Sequence, residues 1–345
     1  MKKFFKQMAD EIRLRLQLFA ANTNVTTDTG MATEGIDKEF YKTKLLKFAE
    51  PELVFSRFGK KINIPQGTGN TIEFRYMDPL PVITQDLTEG VTPNGRKAVF
   101  RKITEELHQI GDWISVSDKL QLEAIDPIVS EITGAQGRQA GKSFDTLVRD
   151  VVSAGTNVLY SQNYNAATGV YTENVARATM DETAKISVDT LLNAAAILEG
   201  QDAPTIDGEY ICVMHPYVAC DLMKSPEWQD IQRYVHPEKI YQGEIGSIGN
   251  IRVIKNTRAK IWANAASSTL SVYATMIFGQ DAYAVTELEG AGLEHIVKPL
   301  GAGDDPLNQR ASVGWKGFRL AKILIQPYLL RIESTCGTMP TAAAN

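Results

Sequence analysis

Cysteine is scarce: there are three in 345 residues. So few cannot build a disulfide framework, and they suit a reducing compartment. Histidine is nearly as rare, with four residues, and no H-E-x-x-H run occurs. Basic charge is not in excess, since 36 Lys plus Arg face 41 Asp plus Glu, a net charge of −5. A general nucleic-acid coat would be strongly basic. No apolar run approaches the roughly 18 residues of a membrane-spanning helix. With 26 Gly and 14 Pro, the chain is neither collagen-like nor of low complexity. What is present is ordinary: 43% hydrophobic and 22% charged residues. The length suits about two domains or one elaborate one. Composition leads us to expect a soluble, slightly acidic, intracellular globular protein, and it names no activity.

The first 15 residues carry five basic and two acidic groups. Lys2, Lys3 and Lys6 imitate an export signal, but Asp10, Glu11, Arg13 and Arg15 interrupt its apolar core. Phe4, Met8, Ile12, Leu16 and Phe19 instead recur at helical spacing. Such a helix docks on its own chain, on a neighbouring one, or on a membrane surface, and the interrupting acids favour protein. Residues 21–37 are small and polar and read as a flexible arm. Phe40, Leu45, Leu46, Phe48 and Ala49 predict a helix over 37–56, interrupted at Glu50-Pro51.

From Lys61 to Ser117 the pattern is extended. Asn70–Tyr76 alternates polar and apolar, as a strand with one covered face does. Asp78-Pro79-Leu80-Pro81 stops it, and Gly90, Pro93 and Asn94-Gly95 signal turns. Val99–Glu106 and Gln109–Val116 are extended again. Together they predict a long two-stranded excursion with a polar, charged tip. A hairpin of that length has little core of its own and needs a surface, one that another molecule can supply.

Asp126-Pro127 is an N-cap followed by proline at the first helical position. Ile128, Val129, Ile132, Ala140, Phe144, Leu147, Val148, Val151, Val152, Val158 and Leu159 continue the period. A helix from 126 to 160 would span about 50 Å at 1.5 Å per residue. Gly134, Gly137, Gly141 and Gly155 weaken it by about 1 kcal/mol each, and mark either close approach or a bend. Residues 161–187 read as a loop or small hairpin. Val188–Leu198 (helix), Tyr210–Met214 (strand) and Pro216–Met223 (helix) follow. The strands Ile251–Ile254 and Leu270–Phe278 then complete a compact α/β region over 188–290. Glu294–Val297 and Val313–Glu333 are strand-rich, and no internal repeat is visible.

Few motifs carry chemistry. Gly137-Arg138-Gln139-Ala140-Gly141-Lys142-Ser143 resembles a phosphate loop but has three residues between its glycines, not four, and sits inside a helix. Cys212, His215 and Cys220 offer a C-x2-H-x4-C spacing with His236 downstream, yet zinc wants four converging ligands. A buried core Cys and a turn His explain them as well. Gly246-Ser247-Ile248-Gly249 lacks nucleophile-elbow spacing. Asp304-Asp305 reads as a capping loop and not a cation site. Trp315, between Gly314 and Lys316-Gly317, reads as a packing anchor.

Two stretches carry a family resemblance: Tyr241–Arg252 (YQGEIGSIGNIR) and Gly303–Lys316 (GDDPLNQRASVGWK). They and the order of elements resemble the major capsid proteins of tailed bacteriophages, closest to the branch typified by phage N4. The resemblance implies an α+β, HK97-like capsid fold. Residues 1–57 would be the N-terminal arm, and 58–118 the extended β-hairpin loop reaching over a neighbouring subunit. Residues 119–187 would form the peripheral domain with its long spine helix, 188–291 the axial α/β domain around the five- and sixfold axes. Residues 292–345 would hold the strands that return to the peripheral sheet, and the C-terminus.

The implied function is self-assembly into hexamers and pentamers of an icosahedral head enclosing double-stranded DNA without reading its sequence. No catalytic residue, cofactor or metal, and no membrane, is implied. Partners would be copies of the chain itself, with scaffolding, decoration and portal proteins. The location would be the virion, after assembly in the host bacterial cytoplasm. The contacts between subunits are expected at Phe4, Met8 and Ile12 on the arm. On the loop they are expected at Asp78, Pro79, Glu89, Arg96, Lys97, Arg101 and Lys102. Some relatives crosslink a Lys to an Asn; Lys97 and Lys102 lie in the loop, but nothing identifies an acceptor. The N-terminus shows no long coiled-coil segment of the kind that some relatives cleave. Two rivals remain: an encapsulin-like nanocompartment shell around enzyme cargo, and a zinc-dependent hydrolase built on Cys212, His215 and Cys220.

Overall fold

The computed structural model describes residues 45, 48–49, 53–65, 69, 71–77, 80, 82–84, 86, 89–90, 92, 95–123, 128–229, 246–263, 270–289, 292–301 and 306–345. Several readings lie outside the described residues: the helix of Phe4, Met8 and Ile12, the 21–37 arm, and most of 37–56. So do Asp78-Pro79, Asp126-Pro127, His236 and Asp304-Asp305. In chain order come α1 (Phe55–Phe58), β1 (Lys60–Lys61), β2 (Thr71–Met77), β3 (Phe100–Glu106) and β4 (His108–Ser117). Next are α2 (Asp118–Glu123), α3 (Ile128–Ser153), β5 (Val158–Tyr160), β6 (Asn163–Asn165) and β7 (Val170–Thr172). They are followed by α4 (Val188–Gly200), β8 (Tyr210–Met214), α5 (Pro216–Lys224), β9 (Ser247–Ile248) and β10 (Ile251–Lys255). The series ends with β11 (Ile261–Ala263), β12 (Ser271–Phe278), β13 (Tyr283–Glu287), β14 (Glu294–Lys298), β15 (Arg310–Ile323) and β16 (Leu329–Ser334).

The chain divides into two units. One takes its described residues from 1–50, 111–139 and 294–316, the other from 51–110, 140–293 and 317–345. In the first, β14 lies antiparallel to residues 312–316 of β15. Gly111–Trp113 of β4 run close to Gly314–Lys316. Odd-numbered residues of β15 face α3: Trp315 is buried, and its Nε1 donates to Gln139 Oε1 at 3.3 Å. Gln136 Nε2 adds a bond to the Val313 carbonyl at 2.8 Å. The glycines of α3 here serve close approach. A Cβ on Gly137 would stand 2.7 Å from the Leu45 carbonyl oxygen, and one on Gly134 would stand 3.3 Å from Phe48.

The second unit is built on a seven-stranded sheet ordered β5-β16-β12-β8-β10-β9, with β11 also pairing β12. Its centre is apolar on both faces because both faces are covered. Tyr210, Cys212 and Met214 of β8 join Leu191, Leu198 and Leu222 of α4 and α5. Ile211 and Val213 point the other way, to Val148, Val152, Phe278 and Tyr283. Ser187 caps α4 by accepting the Thr190 amide at 3.1 Å. β13 pairs with residues 319–323 of β15, and β1 pairs in parallel with β13.

Three sequence expectations change. The long helix stops at Ser153 and does not run on through Leu159. The Ala154 and Gly155 amides close tight turns onto the Val151 and Val152 carbonyls. A side chain at 155 would meet Leu329 at 2.6 Å, and Val158–Tyr160 leave to pair in parallel with β16. Second, the extended run at 109–116 does not continue the hairpin; as β4 it pairs with β15. Third, Val313–Glu333 is two strands in different sheets, separated by the turn Gln326–Tyr328. The returning strand β16 lies between β5 and β12 in the seven-stranded sheet, while residues 312–316 of β15 pair with β14. Leu329, Leu330 and Ile332 are buried on its two faces, which suits a central position.

Candidate assembly surfaces

The hairpin β2–β3 runs in register from Thr71↔Glu106 to Met77↔Phe100. Its base is not coreless. Ile72 and Phe74 are buried with Leu107 against Ala284 of β13 and Leu320 of β15, and Ile103 adds to the cluster. So the first rungs rest on their own chain, where the sequence left open a neighbour. Beyond the last rung that support ends. Phe100 is 69% exposed and Val82 87%. Met77, Leu80, Ile83 and Val99 are exposed with them. An apolar series of this kind on a loop loses free energy in water, at about 25 cal/mol per Å², until a partner covers it.

The charged candidates divide. The Glu73 carboxylate accepts Lys102 Nζ at 2.6 Å and also pairs with Arg75. These two partners hold the Glu73 carboxyl below its usual range. Lys102, expected to meet an acidic neighbour, is therefore engaged on its own hairpin. Arg101 stands opposite Tyr76 on the exposed ladder. Glu89, Arg96 and Lys97 are exposed on the loop. Asp78, Pro79, Phe4, Met8 and Ile12 lie outside the described residues. What the structure adds is Leu80, Val82, Ile83, Val99, Phe100 and Trp113, which charge and motif reading passed over. Leu80, Val82 and Ile83 carry one signal, apolar side chains beside prolines that offer no buried face, whereas Phe100 and Trp113, in β3 and β4, carry none.

The chemical candidates disperse. Cys212 is wholly buried in β8, and burial pushes its thiol up. His215 precedes α5 and caps it, its Nδ1 accepting the Tyr217 amide at 3.2 Å. Burial lowers its pKa against the opposing pull of the Thr257 backbone. Among the described residues no group of three or more His, Cys, Asp or Glu gathers as metal ligands. The glycine–lysine run at 137–143 lies within α3, where helix bonds use its amides. Among the described residues no helix is long and apolar enough to cross a membrane.

A second, buried ionic arrangement holds the second unit together. Glu333 of β16 is fully buried and pairs with Arg177 at 2.7 Å and Arg331 at 2.9 Å. Both guanidinium groups stand over the Trp262 ring, at 3.9 and 5.2 Å from its centroid. Burial of the ions is offset by the pairing and by cation–π attraction. The arrangement is structural, since every group in it faces another.

Comparison with known proteins agrees with this geometry. The structure is similar to the capsid of cyanophage P-SCSP1u, at 13% identity and TM-score 0.61, over 85% of this chain and 89% of that one. It is similar to the capsid of Ralstonia phage GP4, at 16% identity and TM-score 0.60, over 79% and 86%. The head of Helicobacter pylori bacteriophage KHP40 gives 13% identity and TM-score 0.59, over 79% and 88%. The fold is the α+β, HK97-like one. No curated protein matches the chain. The family model described as phage capsid protein matches residues 100–291, more than half of the sequence, and the chain belongs to that family.

Proposed function

We propose that the protein is the major capsid protein of a tailed phage, within the branch typified by phage N4, and that it assembles into hexamers and pentamers around double-stranded DNA. The observation that carries this is the loop beyond Met77 and Phe100: its base is anchored in its own chain, while its apolar tip is exposed. A subunit built this way is complete in fold and incomplete in surface. Arg96, Lys97 and Glu89 would set the register of that contact, since exposed pairs contribute only about 0–1 kcal/mol each. The amphipathic segment of Phe4, Met8 and Ile12 is a second expected contact. A wall with net charge −5 surrounds DNA without gripping it, which leaves the genome free to move during packaging. Scaffolding, decoration and portal proteins would complete the head, assembled in the host cytoplasm. No catalytic step is assigned.

The test is electron microscopy of the expressed chain, together with any scaffolding protein its assembly needs, beside a variant in which residues 78–99 are replaced by Asn-Gly. Met77 and Phe100 face each other, so a two-residue turn closes the hairpin. Wild type should form shells, while the variant should stay a folded monomer with unchanged melting. Shells from the variant, or no particles from wild type, would remove the basis of the proposal. Shells that fill with protein cargo, in cells that also make the packaging machinery, would move the reading to a nanocompartment.

A further inference from the structure

The stretch after β16, residues 336–345, forms no strand or helix of its own, yet the second unit holds it along its length. Asp221 of α5 takes its near end. The carboxylate accepts the Gly337 amide and the Thr338 hydroxyl, each at 2.6 Å, and the Thr338 amide at 3.4 Å. Lys224, one turn on, donates Nζ to the same hydroxyl at 3.1 Å. Burial alone would raise the Asp221 carboxyl, but bonds from Thr338, Cys336 and Gly337 hold it below its ordinary range. The middle of the stretch crosses the end of β12. Tyr273 Oη donates to the Met339 carbonyl at 2.7 Å, the Ser271 amide to that of Pro340 at 2.8 Å, and Ser271 Oγ to that of Ala342 at 2.6 Å. The far end closes on β11. There Ile261 meets Asn345 through both backbone groups: its amide donates to Asn345 Oδ1 at 3.1 Å, and its carbonyl accepts the Asn345 amide at 3.2 Å. Asn345 Nδ2 donates to the Ala259 carbonyl at 3.3 Å.

Hydrogen bonds carry this contact, and apolar burial does not. Along 337–345 only Pro340 and Ala342 are half-buried, and the other residues are exposed. A segment with few buried apolar contacts and solvent-facing bonds sits at the low end of local stability and opens without the domain beneath it. The arrangement at Ile261 is that of an added strand, in which the Asn345 side chain supplies the carbonyl a strand neighbour would. Asn suits that place because its amide offers an acceptor to Ile261 and a donor to Ala259 at once. Past Met339 the run is Pro-Thr-Ala-Ala-Ala-Asn, without charge or bulk. We propose that residues 337–345 are a strap, latched at Asp221, that opens as one unit and covers a slot along Ser271 and Ile261 which binds extended polypeptide. The slot's occupant is the chain's own segment. A second polypeptide binds there by matching the same chemistry: extended, uncharged, small in its side chains, with Asn opposite Ile261. The device belongs to the single chain and stands apart from its assembly.

Native-state hydrogen exchange on the unassembled chain tests the single opening. Asn345→Ala removes the far end and leaves Asp221 intact. It should speed exchange of the Gly337 and Thr338 amides, at the other end of the strap, by about fivefold or more, together with those of Ile261 and Ser271. Asp221→Ala should speed Ile261 and Ser271 by about tenfold or more, since bonds to a charged group are lost. The amides of Tyr210–Met214 should not change in either variant. A rise confined to the altered end overturns the strap. The slot is tested in a chain of the same length whose residues 337–345 are replaced by Gly and Ser. A synthetic peptide of residues 337–345, at about 1 mM, the order of concentration a short tether provides, should restore protection at Ile261 and Ser271. The same peptide with Asn345→Ala should not. Protection by neither peptide, or equal protection by both, overturns the slot. A replaced chain that does not fold overturns the separate opening.

Discussion

Phe74→Ala separates the anchored base of the hairpin from its unsupported tip. Phe74 is 4% exposed and sits among Ile64, Ile72, Leu107, Ala284 and Leu320. Truncating a buried Phe costs about 3–5 kcal/mol. The low end applies here, because only one face of the hairpin is covered and the strands can settle into the gap. About 3 kcal/mol, at about 1.4 kcal/mol per decade, is roughly a hundredfold in the opening equilibrium. Native-state hydrogen exchange on the unassembled chain reads this directly. Amides bonded between Thr71–Met77 and Phe100–Glu106 should lose about two decades of protection, while β8 and β12 keep theirs. Phe100→Ala, in the last rung of the same ladder but exposed, should change protection by no more than about twofold, as surface changes of under about 0.5 kcal/mol do. Equal losses for the two variants, or a larger one for Phe100→Ala, would refute the division into base and tip.

Other outcomes follow from single sites. Glu333→Gln leaves Arg177 and Arg331 without their shared anion and should cost about 3–5 kcal/mol, seen as a lowered melting temperature. Gly137→Ala should destabilise by about 1–3 kcal/mol despite the better helix former, because its Cβ meets the Leu45 backbone; Gly200→Ala meets nothing within 4 Å and should be neutral or stabilising by up to about 1 kcal/mol in denaturant titration. His215 is held by burial below its ordinary 6.5, so the unfolded chain takes up a proton first as the medium acidifies. Its contribution to stability is complete above about 6.5 and declines as pH falls from there to the lowered folded value, with a slope of at most about 1.4 kcal/mol per pH unit. His215→Asn keeps a capping acceptor without a titration, so its melting-temperature profile should be flatter than wild type over that window.

Periodicity alone set much of this molecule. The strands Tyr210–Met214 and Ser271–Phe278, and the helices from Val188 and Pro216, follow from local pattern because each buries a regular stripe or both faces. The base strands of the hairpin were legible from alternation at Asn70–Tyr76 for the same reason. The family was legible from two short stretches and the order of elements. Three things needed the tertiary structure. The end of the long helix depends on contact between Gly155 and Leu329, residues far apart in sequence. The placement of β4 and β16 depends on which strands accept their backbone, and an apolar run does not name its partner. Exposure is the third. Phe100 and Trp113 look like ordinary core residues in sequence, and only the fold, by leaving them uncovered, shows that they are not.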